Sequence, residues 1–163
     1  MNAPIAVVGL GNLLLGDEGF GIHAIRGIRQ RWQHPHVAYI DGGTLGLTLL
    51  PYIEDARYIL FLDAIRADAP PGTVLEIPLL GARPHIPLKF SAHDIALPDL
   101  VALLRIRRGD RLRDICLIGV VPAQMGVAVT LSPAVRAALP EVLDRAHRIL
   151  HNWIVECTRT EVP

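Results

Sequence analysis

Short uninterrupted apolar runs alternate along this chain with stretches whose apolar residues return every three or four positions. The first kind reads as buried strand, the second as helix with one face turned inward. Residues 5–9 (IAVVG) form the first strand, and a glycine-rich loop over residues 9–16 follows it. A helix is expected from about residue 19 to residue 32, with Ile25, Ile28 and Trp32 on one face. Residues 37–40 form a second strand that stops at Asp41-Gly42-Gly43. Thr44 then stands where it would cap a helix carrying Leu47, Leu50 and Ile53 on one side. The run 58–62 (YILFL) is apolar throughout, as suits a strand buried on both faces, and it ends at Asp63.

The pattern changes between residues 66 and 90, which hold five of the thirteen prolines. A strand at residues 73–77 fits there, nearer a sheet edge than its centre because prolines flank it. Residues 91–97 read as a loop or a first turn, and Pro98 suits the first position of a helix bearing Leu100, Val101 and Leu104. Residues 115–121 form the last strand. Ser132-Pro133 opens a final helical region in which Pro140 is expected to force a kink or break before residues 142–153. This alternation predicts one α/β domain over residues 1–163, a mostly parallel sheet with helices on both faces. The strand order expected of such a sheet is 2-1-3-4-5.

Composition narrows the picture without naming a partner. Hydrophobic residues make up 51% of the chain, which excludes bulk disorder. Basic and acidic residues balance at 16 each. The arginines between Arg105 and Arg113 are interrupted by Asp110 and lack stacking aromatics, so no nucleic-acid partner is expected. No apolar stretch approaches the roughly eighteen residues of a membrane span, and the N-terminus lacks the pattern of a signal peptide. A cytoplasmic protein without a membrane partner is expected. Cys116 and Cys157, far apart in sequence, read as buried thiols.

Ligands of open parallel sheets bind beyond the carboxyl ends of the strands, where strand order reverses. Asn12, Asp17 and Glu18 follow the first strand, Asp41 the second and Asp63 the third, while His93 precedes the helix near Pro98. Strands one and three flank the reversal, so Glu18 and Asp63 face one crevice. With His93 they would offer two carboxylates and an imidazole to a divalent ion. Each also has a structural role open to it. Asp63 would order its loop, Glu18 would favour a helix dipole, and Ser91-x-x-Asp94 has the form of a capping box around His93. Two further patterns point elsewhere. His147 and His151 have chelating i, i+4 spacing but no acid between them, and read as a solvated pair. Gly9-Leu-Gly11-Asn-Leu-Leu14 is part of a dinucleotide fingerprint, but Leu14 replaces the third glycine and two acids crowd the helix start.

Taken together, Gly9-x-Gly-Asn-x-Leu-x-x-Asp-Glu-Gly-x-Gly21, Asp41-Gly-Gly-Thr44, Asp63-Ala64, Ser91-x-His93 and Gly119-Val-Val-Pro122 resemble the hydrogenase maturation proteases. The match runs in order from residue 7 to about residue 135. The resemblance implies a single-domain endopeptidase with a five-stranded twisted sheet and a metal site mapping onto Glu18, Asp63 and His93. It implies a substrate too, the precursor of a [NiFe]-hydrogenase large subunit, cut once near its C-terminus after nickel insertion. Nickel would then arrive with the precursor, and Asp41 is the candidate for substrate positioning or proton handling. Family members often carry a polar or acidic residue near the Gly-x-x-Pro turn, whereas this chain reads Gly119-Val-Val-Pro-Ala-Gln124, a difference bearing on how the substrate tail is held. Two other functional classes stand against this reading. A nickel-binding chaperone would hold the precursor without cutting it, and a flavodoxin-like nucleotide binder would be stabilised by nucleotide or flavin.

Overall fold

The computed structural model describes residues 3–81 and 96–160. Five strands form one sheet in the order β2-β1-β3-β5-β4. They are β1 (Ile5–Leu10), β2 (Val37–Gly43), β3 (Tyr58–Ala64), β4 (Val74–Pro78) and β5 (Asp114–Val120). β2, β1, β3 and β5 are parallel to their neighbours, and β4 runs antiparallel along β5. The expected order 2-1-3-4-5 therefore fails in its last two strands. The cause is the short link from β3 to β4, residues 65–73. A parallel crossover needs a dozen residues or more, so β4 takes the outer edge in reverse and leaves the inner position to β5.

The helices divide between the two faces. α1 (Phe20–Arg31) and α4 (Pro133–Thr160) cover one side, where Ile25, Ile28, Val142, Leu143, Leu150 and Trp153 pack on Val7, Leu60 and Ile118. The short α2 (Leu50–Ile53) and α3 (Ala96–Arg108) cover the other, where Ile53, Leu100 and Leu104 meet Val8, Phe61 and Leu117. Central strands are thus buried on both sides, as their unbroken apolar runs require. Cys116 and Cys157 are buried and no disulfide joins them. Burial pushes the Cys116 thiol up to about 12, with Glu76 and Asp114 nearby adding to the effect.

Several local expectations are corrected. Thr44 does not open a helix; a 3-10 turn at Gly46–Leu49 leads into α2, and no side chain caps either. Gly46 has φ 55°, a left-handed conformation that cannot belong to an α-helix, so helix formation is postponed past it. Leu47 consequently points outward while Leu49 and Ile53 are buried. Strand two does not stop at Ile40 but continues to Gly43, across an irregularity opposite Gly9 and Leu10. Nor does Pro140 break the last helix. α4 is continuous from Pro133 to Thr160 because Ala138, Val142, Leu143 and Ala146 stay packed in the core through the turn that lacks one hydrogen bond. His147 is exposed but stacks on Trp32, with ring centroids 4.2 Å apart, rather than standing free in solvent.

α1 approaches the sheet unusually closely at Gly21. A Cβ there would run into the carbonyl oxygens of Leu10 and Leu62, and one on Gly9 would meet Gly21 itself. This contact sets the height at which the β1–α1 turn crosses the sheet edge. Gly21→Ala is accordingly expected to lower stability by about 2–3 kcal/mol. Urea unfolding followed by circular dichroism measures it, and an unchanged midpoint would contradict the close approach.

Candidate active site

Strand order reverses between β1 and β3. The chain leaves β1 through α1 on one face and reaches β3 through α2 on the other, so their carboxyl ends open a crevice. The turn bridging it is Gly16–Gly19, a 3-10 segment that carries Asp17 and Glu18 and packs against β3. Glu18 therefore precedes α1 rather than lying in its first turn. Its place is fixed by the glycine loop. Gly11 has φ 129°, and the chain folds back so tightly that the Asn12 N–H donates to the Glu18 carbonyl at 3.2 Å. The Asn12 side chain stiffens the same loop by accepting from the Leu14 N–H at 2.9 Å. These glycines serve the close approach of the loop to its own turn, which accounts for a partial dinucleotide pattern without a nucleotide.

Glu18 is half-buried, and its Oε2 is shielded from solvent with no hydrogen-bond partner among the described residues. A shielded carboxylate oxygen left in that state is costly unless a ligand completes it. Asp63 lies inside β3, level with Gly119 of β5, and its Oδ1 accepts from the Ala64 N–H at 2.8 Å. Strand alternation turns Asp63 toward the face covered by α2 and α3, because Ile59 and Phe61 pack there. His93 lies outside the described residues, in the segment leading into α3. Among the described residues no group of three His, Cys, Asp or Glu side chains gathers closely enough to hold a metal ion.

Asp41 lies within β2, paired with Gly9 at the same level of the sheet. Alternation turns it the other way from Asp63, toward α1, where Arg26 Nη2 stands 3.8 Å from its Oδ2. Both groups are more than half exposed, so the pair adds little to stability. The turn carrying Glu18 and the end of the strand carrying Asp63 thus lie at one edge of the sheet, with Asp41 on the neighbouring β2. A cleft of about 500 Å³ lined by Trp32, His34, Tyr39, His147 and His151 includes Val37, at the opposite end of β2 from Asp41. It is remote from this chemistry.

The residue whose role the sequence did not disclose is Asp17. Fully buried, it accepts four hydrogen bonds of 2.8 Å, from the N–H groups of Ala123, Gln124 and Ser132 and from the Ser132 hydroxyl. Burial alone would raise its titration. The donors on Gln124, Ser132 and Ala123 outweigh that and hold the carboxyl below the ordinary carboxylate range. The result is a tether. Residues 122–132, which follow β5, are fastened to the turn that carries Glu18, and Leu15 and Ala128 form a β-bridge beside it. Asp17 adjoins the acidic motif in sequence, but all its partners lie more than a hundred residues away.

A carboxylate that titrates lower in the folded state than in the unfolded chain contributes stability above its unfolded value, about pH 4, and loses it as pH falls toward the folded value. Acid unfolding should therefore begin below about pH 4 with Asp17 as a contributor. An amide at this position has one acceptor oxygen and would turn its NH₂ toward N–H donors. Asp17→Asn is expected to cost about 2–4 kcal/mol at pH 7 and to flatten the pH dependence of stability below pH 4. Denaturant titrations at pH 7 and pH 3.5 read both effects, and equal destabilisation at the two pH values would contradict a depressed Asp17.

Comparison with known proteins agrees with this geometry. The family model for HycI hydrogenase maturation proteases matches residues 22–149. The hydrogenase 2 maturation protease of Escherichia coli is 31% identical, over 96% of each chain. The hydrogenase expression/formation protein HoxM of Azotobacter vinelandii is 33% identical, over 89% of this chain and 75% of its own length. Among solved structures, the hydrogenase maturating endopeptidase HybD from E. coli superposes with a TM-score of 0.79 at 27% identity, covering 91% of this chain and 92% of that one. The [NiFe] hydrogenase maturation protease HybD from Thermococcus kodakarensis gives 0.70 at 26%, over 89% and 97%. A single α/β sheet, a glycine-framed acidic turn at its switch point, a family model spanning most of the chain and a relative matched over 96% of each chain place this chain in the hydrogenase maturation protease family, as an endopeptidase.

Proposed function

We propose that this endopeptidase removes the C-terminal extension of a [NiFe]-hydrogenase large-subunit precursor after nickel has been inserted, and that Glu18, Asp63 and His93 recognise the nickel the precursor carries. The observation that supports the metal reading is Glu18 Oε2, a shielded carboxylate oxygen at the switch point that has no partner among the described residues. Two carboxylates and an imidazole form a donor set of the kind nickel accepts, and three protein ligands leave positions for substrate groups. Nickel carried by the substrate would polarise a carbonyl or lower the pKa of a bound water. The protein's own part is to seat that ion so that the peptide bond to be cut lies at a fixed distance from it.

Asp41 is assigned to substrate positioning or proton handling. It ends the regular part of β2 beside Gly42 and Gly43, and Gly43 adopts φ 46°, so the backbone there can lie close to an incoming peptide. Arg26, 3.8 Å away, puts a positive charge beside the Asp41 carboxyl at this edge of the sheet.

The decisive experiment incubates the purified chain with nickel-loaded precursor and weighs the product. Loss of the C-terminal extension is expected, and nickel-free precursor should stay intact. An uncut nickel-loaded precursor would leave only a holding role. His93→Ala and Glu18→Gln should each reduce processing by roughly a hundredfold or more while leaving the far-ultraviolet circular dichroism unchanged. Near-normal cleavage by His93→Ala would remove that histidine from the site.

A further inference from the structure

The charged residues of this chain avoid one part of it. None of Asp, Glu, Lys or Arg occurs in residues 1–16, 42–53 or 115–135, although they make up 20% of the sequence. Those three stretches contain the loops that follow β1, β2 and β5, and parallel strands deliver all three loops to the same edge of the sheet. The same loops hold five of the seven large hydrophobic residues that are exposed among the described residues. They are Leu14 at 63%, Leu45 at 49%, Leu47 at 46%, Val127 at 90% and Val129 at 70%. Scattered exposed apolar residues are ordinary, but five on three adjoining loops are a patch.

The loops are also joined. The loop after β1 lies between the others. Its Gly11 N–H donates to the Gly43 carbonyl at 2.9 Å, while its Leu14 carbonyl accepts from the Ala128 N–H at 3.0 Å and its Gly16 N–H donates to the Ala128 carbonyl at 2.8 Å. Asp17 fastens the third loop from beneath. Leu14, Val127 and Val129 are therefore held outward by ordered backbone rather than carried on a loose segment. The rim they make borders the crevice that holds Glu18 and Asp63.

We propose that this uncharged apolar rim is the docking surface for the folded body of the large-subunit precursor, which it holds while the precursor's C-terminal segment enters the crevice. The inference rests on the function proposed above. Three observations select that occupant. The rim is continuous with the site, so whatever protein inserts a chain there must lie against it. A membrane surface is disfavoured by the absence of any Lys or Arg on these loops to meet anionic headgroups. Charge at this edge is confined to the loop after β3, with Arg66 and Asp68, and to the acids of the crevice with Arg26, so partner selection on the rim itself rests on shape and apolar burial.

The test measures binding of purified nickel-loaded precursor to the chain and to the triple variant Leu14→Ser, Val127→Ser, Val129→Ser. The three positions are exposed, so the variant should keep its melting temperature within about 2 °C. Its Kd for the precursor should rise at least about tenfold. Ile106→Ser, an exposed apolar residue on α3 away from the rim, should leave Kd unchanged. Raising salt from about 0.1 to 0.5 M should change the wild-type Kd less than twofold, because no rim charge is there to screen. Unchanged binding by the triple variant, or a tenfold loss with salt, overturns the docking surface while leaving the protease reading in place. Absence of any binding or cleavage by the wild-type chain overturns both. A wild-type dimer that the triple substitution dissociates without affecting precursor binding would assign the rim to a second copy of this chain and overturn the proposal.

Discussion

The buried carboxylate of Asp17 is the constraint on which the working edge of this protein depends. A charged group without solvent contact survives in a protein interior only when its lone pairs are filled, and Asp17 fills its own with four donors drawn from residues 123–132. Two loops separated by most of the sequence are thereby made into one structure. The turn carrying Glu18 cannot shift without breaking those bonds, and residues 122–132 cannot lift away from it. A three-way join between one acid, three backbone N–H groups and a hydroxyl thus converts a sheet edge, usually the most variable part of an α/β domain, into a fixed platform.

Glycine packing performs the complementary task beneath that platform. Gly9 and Gly21 let α1 lie against the ends of β1 and β3, and Gly11 lets the loop between them return over the Glu18 backbone. The outcome is a carboxylate half-sunk at the point where strand order reverses, one of whose oxygens has no partner among the described residues. Strand alternation then divides the other acids. Asp63 faces the side covered by α2 and α3, while Asp41 faces α1 and Arg26. Asp63 and Asp41 are therefore unequal in setting, one turned to each face of the sheet, while Glu18 sits in the turn that crosses its edge.

The loops after β1, β2 and β5 that border these acids hold an uncharged apolar surface. An acidic floor inside an apolar rim strengthens the interaction of its carboxylates with a cation once a partner covers it, because exclusion of water lowers the effective dielectric constant. Contact and chemistry are then coupled through one boundary. In the proposed complex, the partner that buries the rim would also be the one that brings the metal to the floor.

The sequence by itself determined the fold class, the positions of most strands and α1, and the ends of strands at which Glu18, Asp41 and Asp63 fall. Those are local properties, written in the two periodicities of buried elements and in the glycines that interrupt them. It also carried the family, through an ordered set of short motifs rather than any one of them. What it did not determine were quantities that depend on residues distant in the chain. Gly46 cancelled a helix that Thr44 suggested, because a left-handed φ is set by the surrounding path. Core packing carried α4 through Pro140, and a short link exchanged the places of the last two strands. Asp17 is the clearest instance. Beside Glu18 in the sequence it looks like a second acid of the same kind, and only the arrival of Ala123, Gln124 and Ser132 makes it a structural tether, since a hydrogen bond across more than a hundred residues leaves no mark on the local pattern.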